Sequence, residues 1–229
     1  MLGSNIFDAH FNSKSLSQSL TKLYDQALNN VNVDVQFDFD GKLVGAHRNI
    51  LICRSAYFRS LLLNNFLEKT QEKPIALTDI DHGTFIEILY FIYTGAFHAN
   101  ISFDQARHAM IYANKINCLS ATNAAMEHLC RYLTLNHKSI IEIYQLARTM
   151  SPAFDLLLDY VYDLCSENMT EICNQQEFKD LDKDSMIDLI CQSNEKREKR
   201  EADKATEIAL LNEATANDVI GRGGGGGGG

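Results

Sequence analysis

The chain has 229 residues, 45% of them hydrophobic and 22% charged, enough for one large domain or two small ones. Its net charge of −9, from 21 basic against 30 acidic residues, argues against nucleic acid as a direct partner, because phosphate binding needs clustered Lys and Arg. No apolar run reaches the ~20 residues that span a bilayer, and no basic stretch leads into an apolar core. The expectation is an intracellular protein, cytoplasmic or nuclear, with no membrane partner.

In chain order, residues 1–13 carry no clear periodicity and are expected to be weakly ordered. Residues 15–29 follow a helical stripe through Leu16, Leu20, Leu23, Ala27 and Leu28. Residues 33–46 predict a hairpin. Val33, Val35, Phe37 and Phe39 alternate with Asp34, Gln36 and Asp38, and Asp40-Gly41 suits a two-residue type I′ turn. Two helices are expected over 48–64, with Ser55 as the cap of the second. Residues 68–74 read as a charged loop and 74–77 as a short strand. Residues 83–93 form a helix that is apolar nearly all round and so should be central, stopped by Gly95. One further edge strand is expected over 97–101. Ser102 caps the next helix, and 119–133 forms another.

From Thr134 onward the strand signals vanish. Helices are expected over 138–148, 153–166, 169–174 and 183–191, with Pro152 at a helix start. A separate charged helix spans 194–215, and its Lys196, Arg197, Lys199 and Arg200 interleave with glutamates, as on a solvated face. Residues 216–229 end in polyglycine and are expected to be a flexible tail.

The order D-V-x-F at Asp34, D-G at Asp40, A-H-R-x-x-L from Ala46 and S-x-Y-F-R-x-L from Ser55 resembles the BTB/POZ domain. Residues 85–95, FIEILYFIYTG, agree with the same family. The helical remainder is similar to the BACK domain through Asn136, Ile140, Ile143 to Ala147, Leu157 to Leu164, Glu177-Phe178-x-x-Leu181 and Leu189. The resemblance implies an α+β fold, a small sheet with a hairpin surrounded by helices over 14–133, then an all-α segment over 134–193.

It also implies a protein-interaction adaptor that does no chemistry itself. In BTB adaptors that recruit cullin-3, a hydrophobic-x-Glu motif follows the second helix after the hairpin, where this chain has Phe66-Leu67-Glu68. An exposed aromatic there would fill a partner pocket, and the carboxylate would orient it. The alternative is a core Phe66 and a solvated Glu68. The helix bearing Leu16, Leu20 and Leu23 packs across a two-fold interface in the family, although it could fold back on its own domain. Asp34 and Arg48 occupy the places of a charged pocket near that dimer axis, with an ion pair inside one domain as the alternative. The expected partners are a second copy, cullin-3 and a client protein of unknown identity. The rival reading is a dimerisation scaffold, transcriptional or cytoskeletal, that never binds cullin.

Nothing predicts catalysis, a cofactor or a metal. Asp38 and Asp40 are turn formers, and no phosphate-binding glycine loop or nucleophile elbow accompanies the Ser and His residues. His47 reads as a buried histidine bonded to backbone, and Tyr57, Phe58, Phe91 and Tyr93 as core aromatics. The six cysteines (53, 118, 130, 165, 173 and 191) form no C-x-x-C pair, which predicts free thiols, most of them small buried hydrophobes.

Overall fold

The structure is a computed structural model, and it describes the backbone of residues 4–64 and 73–223 and the side chains of 16–63 and 73–212. The chain divides into two compact units, residues 1–132 and 133–229.

The first unit opens with α1 (Ser4–Leu28), followed by β1 (Val35–Phe39) and β2 (Lys42–Ala46). Helix α1 starts well before the stripe that begins at residue 15. The hairpin is antiparallel, with Val35 opposite Ala46 and Phe39 opposite Lys42. Its turn needs left-handed backbone at two successive residues, and Asp40 (φ 51°) and Gly41 (φ 92°) supply it. The Asp38 carboxylate accepts from the Gly41 amide at 2.7 Å, the turn-forming role expected of it.

Helices α2 (Arg48–Arg54) and α3 (Ala56–Asn64) follow, and the Ser55 hydroxyl accepts from the Phe58 amide at 3.3 Å. Strand β3 (Ile75–Ala76) pairs in parallel with β1, giving the order β2-β1-β3. Helix α4 (His82–Thr94) is central, as its all-round apolarity predicts. Asp81 caps its start and Gly95, at φ 82°, ends it. The core gathers Phe37, Phe39, Phe58 and Phe85 against Leu51, Leu62, Ile88 and Leu89.

Residues 97–101 do not form the expected edge strand but turn. The cause is His98. Its ring stacks on Tyr90 at 3.6 Å, and its Nδ1 and amide bind the buried Glu87 carboxylate at 3.1 and 3.3 Å. Ser102 and Gln105 then form a reciprocal capping box at the start of α5 (Phe103–Lys115).

One close approach fixes α1. A Cβ on Gly45 would stand 2.9 Å from the Ala27 carbonyl oxygen and 2.8 Å from Val33 Cγ1. Gly45→Ala should therefore push the end of α1 off β2 and cost about 1–3 kcal/mol as overpacking. Urea denaturation should show this as a lower midpoint with an unchanged slope. An unchanged midpoint would show that α1 yields freely.

In the second unit, after α6 (Leu119–Leu135) crosses the division, a 3₁₀ turn (His137–Ser139) leads into α7 (Ile140–Thr149). Helix α8 (Asp155–Asn174) joins the two helices expected over 153–166 and 169–174. Non-helical backbone at Asn168 marks the break between them. Pro152 is not at a helix start but in the turn before α8. Short α9 (Gln176–Lys179) precedes α10 (Lys183–Gly223), a single helix of 41 residues where the sequence suggests two and a tail from 216.

Charge explains that continuity. Lys196 reaches Asp159 at 2.5 Å and Asp163 at 3.6 Å, while Arg200 reaches Asp163 at 3.3 Å and also pairs with Glu167. These two cations are thus a ladder onto α8 and not a solvated face. The bond to Asp159 raises the pKa of Lys196.

Candidate protein-interaction surfaces

Helix α1 presents two faces. Tyr24 and Ala27 are buried against the domain. The Tyr24 ring meets Tyr90 at 5.0 Å and Tyr93 at 5.9 Å. Burial, then the Glu87 charge, pushes the Tyr24 phenol well above its ordinary value. Leu23 and Leu20 are half-buried, and Leu16 is 62% exposed. The helix thus folds back on its own domain through Tyr24 and Ala27, residues beside the leucines that define its stripe. It leaves an apolar edge at Leu16 and Leu20 towards solvent. Sequence reasoning missed Tyr24 as an anchor, because a tyrosine with a polar tip does not stand out in an apolar stripe.

Asp34 and Arg48 are brought together, but through backbone. The Asp34 Oδ1 accepts from the Arg48 amide at 2.6 Å, where α2 begins. The Arg48 guanidinium donates to the Leu62 carbonyl at 3.2 Å, tying α2 to α3. Side-chain pattern alone could not show this, since the Asp34 partner is a peptide N–H.

His47 is half-buried, and its partner is a side chain and not backbone. Both its amide (2.8 Å) and its Nδ1 (2.7 Å) meet the Tyr93 hydroxyl. Burial pushes the Tyr93 phenol up to about 12, with the His47 amide opposing and the Asp34 charge adding. A proton held more tightly in the folded state contributes stability that is complete below the unfolded value, ~10, and lost as pH rises towards 12. The melting temperature should therefore fall steeply between those values. Tyr93→Phe should flatten part of that fall, and an equally steep decline in the variant would remove Tyr93 as its source.

A second surface is a cleft of about 190 Å³ lined by Ile80, Asp81, Thr84, His108, Ile111 and Tyr112, with Asp79 and Lys115 completing the rim. Lys115 and Asp79 pair at 2.5 Å. Asp81 accepts from the Thr84 hydroxyl at 2.5 Å and amide at 2.9 Å. Burial raises its pKa, but these bonds hold it below the ordinary carboxylate value. The cleft is apolar in its side walls and charged at its rim, a form suited to a side chain of a protein partner. Phe66, Leu67 and Glu68 lie outside the described residues.

The core aromatics Phe58, Phe91 and Tyr93 are buried, and Tyr57 is half-buried against the same core. Of the cysteines, 118 and 165 are buried, 130 and 173 half-buried, and 53 and 191 exposed, all as free thiols. Among the described residues, no three His, Cys, Asp or Glu side chains converge as metal ligands would. No described helix is long and apolar enough to cross a membrane.

Comparison with known proteins agrees with this architecture. Human Kelch-like protein 6 is 30% identical over 163 residues, which cover 71% of this chain and 25% of that protein. BTB and MATH domain-containing protein 36 of Caenorhabditis elegans is 25% identical over 174 residues, covering 73% of this chain and 50% of its own length. Human BTB/POZ domain-containing protein 9 is 27% identical over 165 residues, covering 69% and 25%. The chain thus spans a quarter to a half of the length of these relatives. The family model of the BTB/POZ domain matches residues 23–133. The hairpin, the parallel third strand, the central α4 and this match together make residues 23–133 a BTB/POZ domain, a protein-interaction fold.

Proposed function

We propose that the chain is a dimeric adaptor that recruits cullin-3 to a client protein and so scaffolds a ubiquitin ligase. The BTB/POZ domain over 23–133 is the observation that carries this reading. Phe66-Leu67-Glu68 stands where cullin-recruiting members carry their hydrophobic-x-Glu motif, and a BACK-like helical unit follows the domain, as in such adaptors. The cleft at Ile80, Thr84 and Ile111 provides a second place for a partner side chain. Self-association would use the apolar edge of α1 at Leu16, Leu20 and Leu23, with Asp34 and Arg48 near the axis. Two copies then double the local valency for a client.

Pull-down with purified cullin-3 tests the recruitment. The wild-type chain should capture it, and Phe66→Ala with Glu68→Lys should lose at least tenfold in affinity, as expected for an aromatic hot spot. Failure of the wild type to bind would leave a dimerisation scaffold. Light scattering tests the dimer separately. The wild type should weigh two chains at micromolar concentration and Leu20→Asp one, and a wild-type monomer would refute the interface.

A further inference from the structure

The fold collects two of the six scattered thiols in one cleft. Cys53 and Arg54 end α2, Phe91, Ile92 and Gly95 lie at the end of α4, and Cys118 and Ser120 stand at the start of α6. Together they line a hollow of about 400 Å³. Cys53 is exposed, whereas Cys118 is nine-tenths buried with its Sγ 3.9 Å from the Ser120 hydroxyl. The Arg54 Nε donates to the Ile92 carbonyl at 3.0 Å, which holds the guanidinium against the wall of the cleft. Among the described residues no carboxylate pairs with Arg54. A cation whose Nε alone is engaged, an accessible sulfur and an apolar wall at Phe91 and Ile92 make a receptor for a small molecule that bears both a carboxylate and a group reactive towards thiols.

We propose that this cleft is a thiol-modification site, in which Cys53 exchanges with a small carboxylate-bearing disulfide of the glutathione disulfide class and Arg54 holds its carboxylate. Cys53 gives its proton to solvent, and the thiolate attacks one sulfur of the disulfide. The disulfide bond breaks as the new sulfur–sulfur bond forms, and the departing thiolate takes up a proton. The protein sulfur is oxidised and one thiol equivalent of the reagent is released. Cys118 faces the same cleft. The site does not depend on cullin recruitment or on the dimer.

The test is timed exposure of the full chain to glutathione disulfide, read by intact mass and peptide mapping. Cys191, equally exposed but on the polar helix α10, is the control within the same molecule. Cys53 should be consumed several-fold faster than Cys191, as a glutathione adduct. Arg54→Gln should slow Cys53 several-fold towards glutathione disulfide while leaving its rate with the neutral 2-hydroxyethyl disulfide unchanged. That unchanged rate also shows that the cleft still folds. Equal rates at Cys53 and Cys191, or an Arg54→Gln variant slowed equally by both reagents or by neither, would overturn the assignment.

Discussion

Phe85→Ala should unfold the BTB/POZ domain at temperatures the wild type survives, at a cost of about 3–5 kcal/mol. Phe85 is fully buried on α4, and its ring lies 5.0 Å from Phe37, 4.8 Å from Phe39 and 6.5 Å from Phe58. It is the point where α4 meets both the core face of β1 and helix α3. Removing it leaves a hole bounded by three aromatic rings, which are too rigid to close it, so the cavity penalty adds to the lost transfer energy. Tyr57→Ala, on a half-buried neighbour at the edge of the same cluster, should cost clearly less. Urea denaturation followed by circular dichroism compares the two. A Phe85→Ala midpoint no lower than that of Tyr57→Ala would show that the centre of the core lies elsewhere.

Asp188→Ala should be the most damaging polar substitution in the helical unit, costing roughly 2–3 kcal/mol. The Asp188 carboxylate on α10 accepts from the Tyr144 hydroxyl of α7 and the Tyr162 hydroxyl of α8, each at 2.8 Å. Arg148 approaches the same oxygen at 3.9 Å and binds the Ser185 hydroxyl. Burial, then the bond to Asp188, drives both phenols well above their ordinary value. Without Asp188, Tyr162 loses the acceptor of its hydroxyl, whereas Tyr144 keeps the Ser185 carbonyl at 2.8 Å. The asymmetry gives the control. Tyr162→Phe removes the donor along with the bond and should cost about 1 kcal/mol. Equal losses for the two variants would mean that the stranded hydroxyl carries no penalty.

Local chemistry made much of the first unit legible. The Asp40-Gly41 turn, the alternation of β1, the caps at Ser55, Ser102 and Gly95 and the apolar α4 each need only neighbours in sequence. The errors fall where a distant partner decides. Residues 97–101 looked strand-like until Glu87 and Tyr90, one helix earlier, captured His98. Residues 192–193 looked like a break until the acids of α8 held Lys196 and Arg200 in one continuous helix. For the candidate site, the family order implied a charged pocket at Asp34 and Arg48 or an ion pair between them, whereas the contact the domain forms, a carboxylate on a backbone N–H, was not legible. The cleft between Ile80 and Ile111 had no signal in the sequence, because concavity is a property of packing and not of pattern.

The long helix α10 has a mechanical consequence. Among the described residues its last ion pair with α8 is at Arg200, and the described side chains beyond it, 201–212, are all exposed. From Arg200 to Gly223 the helix runs on for about 35 Å at a rise of 1.5 Å per residue. A beam clamped at one end transmits direction as well as distance. Each residue added or removed beyond the clamp turns its tip by about 100° while moving it by about 1.5 Å. Phase, more than reach, is then what a partner bound near the tip would register.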